Sequence, residues 1–169
     1  MPDATGLELI AGELSDQDAE SILDTTFQRD RATLVVNPAC VHAVLEHLRG
    51  QGYTFLASLH GCDYYPQEPR LGVLYELLDM ARVDRITVKA RVPLSAPSIA
   101  SVTDLFPGAD FPEREVYDMF GVVFDGHPDL RRILMPEDYE GFPQRRDFPL
   151  GGEPVLFTYN EESSYGKWQ

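Results

Sequence analysis

The chain has 169 residues, with 43% hydrophobic and 25% charged side chains, which excludes a disordered chain, a collagen-like chain and a coiled coil. At this length a single domain, with or without an arm, buries a core without disulfide staples. Acids outnumber bases 28 to 14, a net charge of −14, which argues against a nucleic-acid binder and disfavours adhesion to an anionic lipid face. Ser15 reads as an N-cap before Asp16, Gln17 and Asp18, with Ile22, Leu23 and Phe27 as the apolar side. Residues 1–30 are therefore expected to form an acidic N-terminal helical segment.

Residues 32–36 (Ala-Thr-Leu-Val-Val) read as a β-branched strand. Asn37-Pro38 then opens a helix carrying Val41, Val44, Leu45 and Leu48, which Gly50 and Gly52 end. A second strand is expected over 53–62, followed by a turn from Tyr64 to Pro69. Leu71–Met80 and Arg85–Val92 read as two more strands joined by a hairpin at Ala81–Asp84. In the last strand Ile86, Val88, Ala90 and Val92 alternate with Thr87, Lys89 and Arg91, one face buried and one wet. Two short helices are expected near 97–105 and 112–120. The order predicts an α+β domain over 31–121, a mainly antiparallel four-stranded sheet with helices packed on one face.

After Gly121 the pattern breaks. Gly126, Pro128, Pro136, Gly141, Pro143, Pro149, Gly151, Gly152 and Pro154 interrupt every period. Aromatic and aliphatic residues remain frequent, among them Phe124, Leu130, Ile133, Leu134, Tyr139, Phe142, Phe148, Leu156, Phe157, Tyr159, Tyr165 and Trp168. That composition predicts an extended, irregular C-terminal arm over 122–169 that orders against a partner. The segment 113–169 is acidic, yet it holds the pairs Arg131-Arg132 and Arg145-Arg146. No apolar run approaches the ~18 residues of a membrane span, so no direct membrane insertion is expected. The acidic stretch Met1–Gly12 does not read as a secretory signal. Cys40 and Cys62 are then expected as free thiols in a reducing compartment.

Cys40, His42, His60 and Cys62 do not have zinc-site spacing, because residues two apart on a helix diverge. Glu113, Glu115 and Asp118 crowd the first turns of one short helix, where acids favour the dipole; Arg114 and Asp118 stand four apart and can pair. His127, before Pro128 in a glycine-rich loop, reads as a shaping or interface residue rather than a general base. No phosphate loop, dinucleotide fingerprint, nucleophile elbow or Cys-x-x-Cys occurs. A free-standing hydrolase built on Glu113, Glu115 or His127 remains the alternative from another class. It requires a pocket that joins those residues.

The stretch Phe111 to Leu150 carries Glu113-Arg114-Glu115, Asp118 and Gly121, then a Gly-His-Pro-Asp-Leu-Arg-Arg-Ile-Leu block from Gly126 to Leu134. Glu140-Gly141-x-Pro143-x-Arg145-Arg146-Asp147-Phe148-Pro149 closes it. This resembles the signature of the 30 kDa subunit family (the bacterial C subunit) of respiratory complex I, the NADH-quinone oxidoreductase. Phe111, Phe142, Gln144, Arg146 and Phe148 depart from the family's commoner residues, and Phe142 and Gln144 are the two that would alter a contact.

The resemblance implies a structural subunit of the hydrophilic arm on the cytoplasmic side of the cell inner membrane. It implies no catalytic residue, no metal and no cofactor in this chain, with FMN and iron–sulfur clusters in partner subunits. The large D subunit, which helps form the quinone cavity, is the implied main partner, with the B and I subunits beside it. The residues it assigns to the partner interface and signature are Glu113, Arg114, Glu115, Asp118, Gly121, His127, Pro128, Asp129, Arg131, Arg132, Gly141, Pro143, Arg145, Arg146 and Asp147. Of these, the four arginines Arg131, Arg132, Arg145 and Arg146 are expected to fix the arm's register, since guanidinium forks pair selectively with carboxylates. An equivalent subunit of a membrane-bound hydrogenase or a ferredoxin-dependent complex is the alternative within the same resemblance.

Overall fold

A computed structural model describes residues 4–149. The first helix, α1 (Ala4–Gln17), ends where the sequence suggested a start. Leu7, Ala11 and Leu14, spaced four and three apart, form its buried stripe. The second half of the expected helical segment is instead a strand, β1 (Ile22–Gln28), antiparallel to β2 (Arg31–Val36). Arg29 and Asp30 both adopt positive φ (52° and 58°), the two-residue turn that matches the twist of a hairpin. Thr25 and Thr26 add β-branched side chains, so strand pairing overrides the capping signal at Ser15.

Asn37 accepts a hydrogen bond from the Ala39 N–H at the single turn Pro38–Cys40, which leads into α2 (Val41–Gly50). Its buried residues are Val41, Val44, Leu45 and Leu48, as their spacing predicts. Then come β3 (Phe55–Asp63), β4 (Leu71–Asp79) and β5 (Asp84–Val92). At the β4–β5 hairpin, Asp79 accepts from the Ala81 and Arg82 N–H groups and pairs with the Arg82 guanidinium. The sheet runs β1-β2-β5-β4-β3, antiparallel except for the central β2–β5 pair. It is thus a mixed sheet of five strands, one more than expected, and the addition is β1.

One sheet face, with Leu34, Val36, Val73, Tyr75, Leu77, Ile86, Val88 and Ala90, joins the buried faces of the three described α-helices in one core. The helix expected over 97–105 does not form. Ser98–Ala100 is a short strand, β6, parallel to β7 (Val123–Asp125), and the Ser98 hydroxyl bonds the Asp125 carboxylate. The third described helix, α3 (Asp110–Phe120), lies across β3. Gly61 makes this possible, since a Cβ there would sit 2.4 Å from the Phe120 ring.

From residue 126 to 149 no helix or strand forms, yet the segment lies on its own domain. Leu130 and Met135 pack against the core, and the Gln144 N–H donates to the Met119 carbonyl. The arm residues Leu156, Phe157, Tyr159, Tyr165 and Trp168 lie outside the described residues.

Candidate functional site

Helix α3 is the hub of the signature segment. Glu113 is fully buried; its carboxylate accepts from the Ser101 hydroxyl at 2.7 Å and the Val102 N–H at 2.8 Å. The His127 ring, also fully buried, has Nε2 at 3.1 Å from the Asp110 carbonyl and 4.0 Å from the Glu113 carboxylate. The Asp129 N–H donates to Nδ1 at 3.0 Å, which assigns the proton to Nε2 and the donor role toward Asp110. Glu113 and His127 therefore clip the 101–102 loop and the 127–129 turn onto the first turn of α3. Glu115, by contrast, is exposed. The three residues of a hydrolytic reading do not face a common opening.

Burial pushes the Glu113 carboxyl above its usual range, against the opposing pull of its two donors and His127. A raised folded-state value means that stability falls as pH rises through the window above about 4.5. Glu113→Gln is expected to flatten that slope while changing stability near pH 7 by less than about 1 kcal/mol, since an acceptor oxygen remains. Urea unfolding between about pH 4 and 8 checks this. An unchanged slope in the variant contradicts it.

Asp118, one turn on, is fully buried and gathers the next block. One carboxylate oxygen accepts from three consecutive N–H groups, Ile133 at 3.0 Å and Leu134 and Met135 at 2.8 Å each. The other accepts from Arg132 at 2.7 Å. Burial alone pushes this carboxyl up, but the Met135, Leu134 and Ile133 N–H groups and Arg132 win, so it lies below its ordinary value.

Arg132 also donates to the carbonyls of Asp118, Tyr139 and Gly141, and its guanidinium packs on the Tyr139 and Phe142 rings. Arg114 does not pair with Asp118, four residues on. It donates to the carbonyls of Arg131 and Arg132 and rests over Phe111.

The third block is held by Arg145 and Asp147. Arg145 donates to the Phe120 carbonyl at 2.7 Å and stacks 4.3 Å from the Phe142 ring centre. Phe142 thus lies against two guanidinium groups, a role open to a planar apolar ring. Both groups crowd Gly121, which ends α3 at φ +75°; a Cβ there would meet the Phe142 ring and the Arg145 guanidinium at 2.6 Å. Gly121→Ala is expected to cost about 2 kcal/mol or more, from strain at positive φ plus overpacking. Thermal unfolding measures it, and a melting temperature within a degree or two of the parent would contradict it.

Asp147 reaches Arg70, a buried arginine at the start of β4. Arg70 forks onto Asp63 at 2.8 and 2.7 Å and contacts both oxygens of Asp147. Asp63 also accepts from the Arg146 N–H at 2.7 Å and the Tyr65 N–H at 2.9 Å. Its hydrogen bonds to Arg70 hold Asp63 far below the usual carboxylate range, and Asp147 shifts the same way for the same reason.

Among the residues named from sequence, Glu113, Asp118, Gly121, His127, Arg132, Gly141, Arg145 and Asp147 all meet in this internal network. Arg114 joins it through carbonyls. Pro143 is half-buried at its edge. Glu115, Pro128, Asp129, Arg131 and Arg146 are exposed; Arg131 pairs with Asp129 at 2.9 Å, and Arg146 donates to the Tyr65 carbonyl. The zinc candidates scatter: Cys40 donates to Asp18, His42 bonds Asp104, and His60 bonds Ser58. Sequence reasoning missed Asp63, Arg70 and Ser101. The signal for the first two was the strand–turn–strand around Tyr64–Pro69, which brings its flanking charges together.

Comparison with known proteins points the same way. A family model described as the respiratory-chain NADH dehydrogenase 30 Kd subunit matches residues 34–154. The NADH-quinone oxidoreductase C subunit of Roseiflexus castenholzii is 46% identical over 149 residues, 86% of each chain. A solved trypsin-resistant fragment of Nqo5 has 33% identity and a TM-score of 0.65, covering 73% of this chain and 98% of that one. A chain of an archaeal membrane-bound sulfane sulfur reductase shares the fold, with 23% identity and a TM-score of 0.69 over 92% of this chain and 89% of that one. The chain belongs to the 30 kDa subunit family of the respiratory-chain NADH dehydrogenase, complex I.

Proposed function

We propose that the chain is a non-catalytic structural subunit of the hydrophilic arm of a proton-translocating NADH:quinone oxidoreductase. It sits peripherally on the cytoplasmic side of the membrane. It holds the quinone-site D subunit and its neighbours, such as the B and I subunits, in register while electrons pass through FMN and iron–sulfur clusters in partner subunits. One observation supports this most. Glu113, Asp118, Arg132 and Arg145 of the signature hold backbone rather than face a cleft, with the Asp118 carboxylate fixing three N–H groups in a row. The loop so fixed presents Ile133 and Leu134 to solvent, and Phe111 stands exposed under Arg114, whose guanidinium bonds the carbonyls just before them. Exposed apolar side chains on a rigid loop, in segments that also expose the charges of Arg131 and Glu115, are the anatomy of a protein interface.

Mild-detergent extraction of native membranes tests the reading. Comigration of the chain with NADH dehydrogenase activity and iron–sulfur absorbance is the expected result. A free chain with no associated redox centre would end the proposal. The likeness to the sulfane sulfur reductase chain shows the fold alone. Comigration with hydrogenase or ferredoxin-dependent activity would move the chain to that related class.

A further inference from the structure

The sheet has a second face that no described element covers. By register, Arg31, Thr33 and Val35 of β2 share it with Arg85, Thr87, Lys89 and Arg91 of β5, Gly72, Leu74, Glu76 and Leu78 of β4, and His60 and Cys62 of β3. In a chain of net charge −14 this face is an exception. Its strands present four cations, Arg31, Arg85, Lys89 and Arg91, against two acids, Asp24 and Glu76. Glu76 accepts from the Thr87 hydroxyl at 3.0 Å and Asp24 from the Thr25 N–H, and neither pairs with a cation. Among the described residues no carboxylate lies within ion-pair distance of any of the four.

Two of these cations are built into one feature. The Tyr64 ring packs over Gly72, where a Cβ would stand 2.5 Å from it. Lys89 sits 4.3 Å and Arg91 4.5 Å from the centre of that ring. The ring stays neutral, since burial and the adjacent Cys62 thiol push its hydroxyl up to about 12. Among the described residues the one hydrogen-bond acceptor of Arg91 is the Gln67 carbonyl, at 3.4 Å, and its Nε is buried without a hydrogen-bond partner. Burial, and then Arg91, push the Lys89 ammonium down. Two like charges share one aromatic ring, and among the described residues no carboxylate lies at ion-pair distance from either, an arrangement that an anion placed between them would stabilise. The Asp63–Arg70–Asp147 group adjoins, because Asp63 is the residue before Tyr64 and Arg70 also stacks on Tyr65.

We infer that this open sheet face is a docking surface for an acidic segment of a neighbouring protein subunit, with one Asp or Glu carboxylate seated between Lys89 and Arg91 on Tyr64. The inference rests on the proposed place of the chain in a multisubunit complex. Partly exposed Leu74, Leu78 and Val35 supply apolar contact beside the charges. Charge complementarity of this kind selects a partner and its register more than it adds bulk affinity.

The test uses the assembled complex. A carbodiimide joins an amine to a carboxylate only at ion-pair distance, so peptide mapping of the treated complex is expected to show Lys89 linked to an Asp or Glu of another subunit. Lys89 left unlinked, or linked only within its own chain, overturns the inference. Lys89→Glu with Arg91→Glu is expected to reduce recovery of the chain with the complex by about tenfold or more at moderate salt. Lys89→Arg with Arg91→Lys is expected to retain recovery. Unfolding of the isolated variants shows that the fold is intact. If the parent chain comigrates and the reversed chain does so equally, the inference fails while the functional reading stands; if the parent fails to comigrate, the reading itself fails. Binding of the isolated chain to phosphatidylglycerol vesicles, abolished by the reversal, would assign the face to a lipid surface and overturn the protein partner.

Discussion

Asp118→Ala is expected to remove about 3–5 kcal/mol of stability. The side chain is wholly buried, so no solvent enters to replace it. Its loss leaves the Arg132 guanidinium, 14% exposed, with carbonyl acceptors but no counter-charge, and deprives three N–H groups of their acceptor. Asp118→Asn discriminates charge from shape. The amide oxygen can serve the three N–H groups, but its NH2 then faces Arg132, donor against donor. About 2–3 kcal/mol is expected for that variant.

Urea unfolding measures both, and a loss under about 1 kcal/mol for the alanine variant would show that the three N–H groups find other acceptors. The pH sign follows from the depressed carboxyl. Its contribution is complete above the ordinary value of about 3.8 and is lost as pH falls through the folded-state value. The Asn variant is therefore expected to lose less stability than the parent between neutral pH and strong acid.

Much of the fold was legible because it depends on local chemistry. The four strands and α2 carry clean periods, and Asn37-Pro38 caps where capping chemistry says it should. β1 was not legible. Ile22, Leu23 and Phe27 fit a helical face on paper, and the feature that decides against it is a positive-φ turn at Arg29-Asp30, which neither residue type requires. The stretch 97–105 failed for a similar reason. Ser101 and Val102 are held by Glu113, eleven or twelve residues away, and no local pattern announces a buried carboxylate as the acceptor.

The signature residues stand out in the sequence as a set, because a resemblance covers about forty contiguous positions. What they do is less visible there. The expectation that Arg132 and Arg145 fix register against a partner treats them as outward groups. Both instead direct nitrogens at carbonyls of their own chain. A segment of prolines and glycines cannot satisfy its backbone through periodic structure, so side chains must do it. Long planar donors such as arginine, with a central carboxylate for the N–H groups, are the residues that reach. Charge density in a segment without period is thus as consistent with self-fastening as with docking, and the exposed members outside the internal network, Glu115, Asp129, Arg131 and Arg146, are the ones that face outward.

Arg70→Met is expected to cost about 3–5 kcal/mol, and Arg70→Lys about 2 or more. Arg70 is 5% exposed at its side chain, and Asp63 is 2% exposed, so methionine leaves a carboxylate underground with only the Tyr65 and Arg146 N–H groups for company. Lysine keeps the charge but loses the fork that grips Asp63 on one side and Asp147 on the other. Asp147→Asn differs in kind. That carboxylate is 48% exposed, and its loss is expected to cost no more than about 1 kcal/mol.

The contrast gives the local readout. Asp147→Asn is expected to speed proteolysis around residues 141–149 while leaving the global midpoint almost unmoved, whereas Arg70→Met is expected to weaken both the local protection and the global midpoint. Equal global losses for the two variants would mean that the strap and the core unfold as one unit. The buried fork of Arg70 on Asp63 is screened by salt far less than the exposed Arg131–Asp129 pair. Protection of 141–149 is therefore expected to survive at about 1 M salt, and it is expected to fail in acid. Asp63 and Asp147 both lie below their ordinary range because Arg70 bonds them, so their contribution persists down to that range and disappears as pH falls through their folded values.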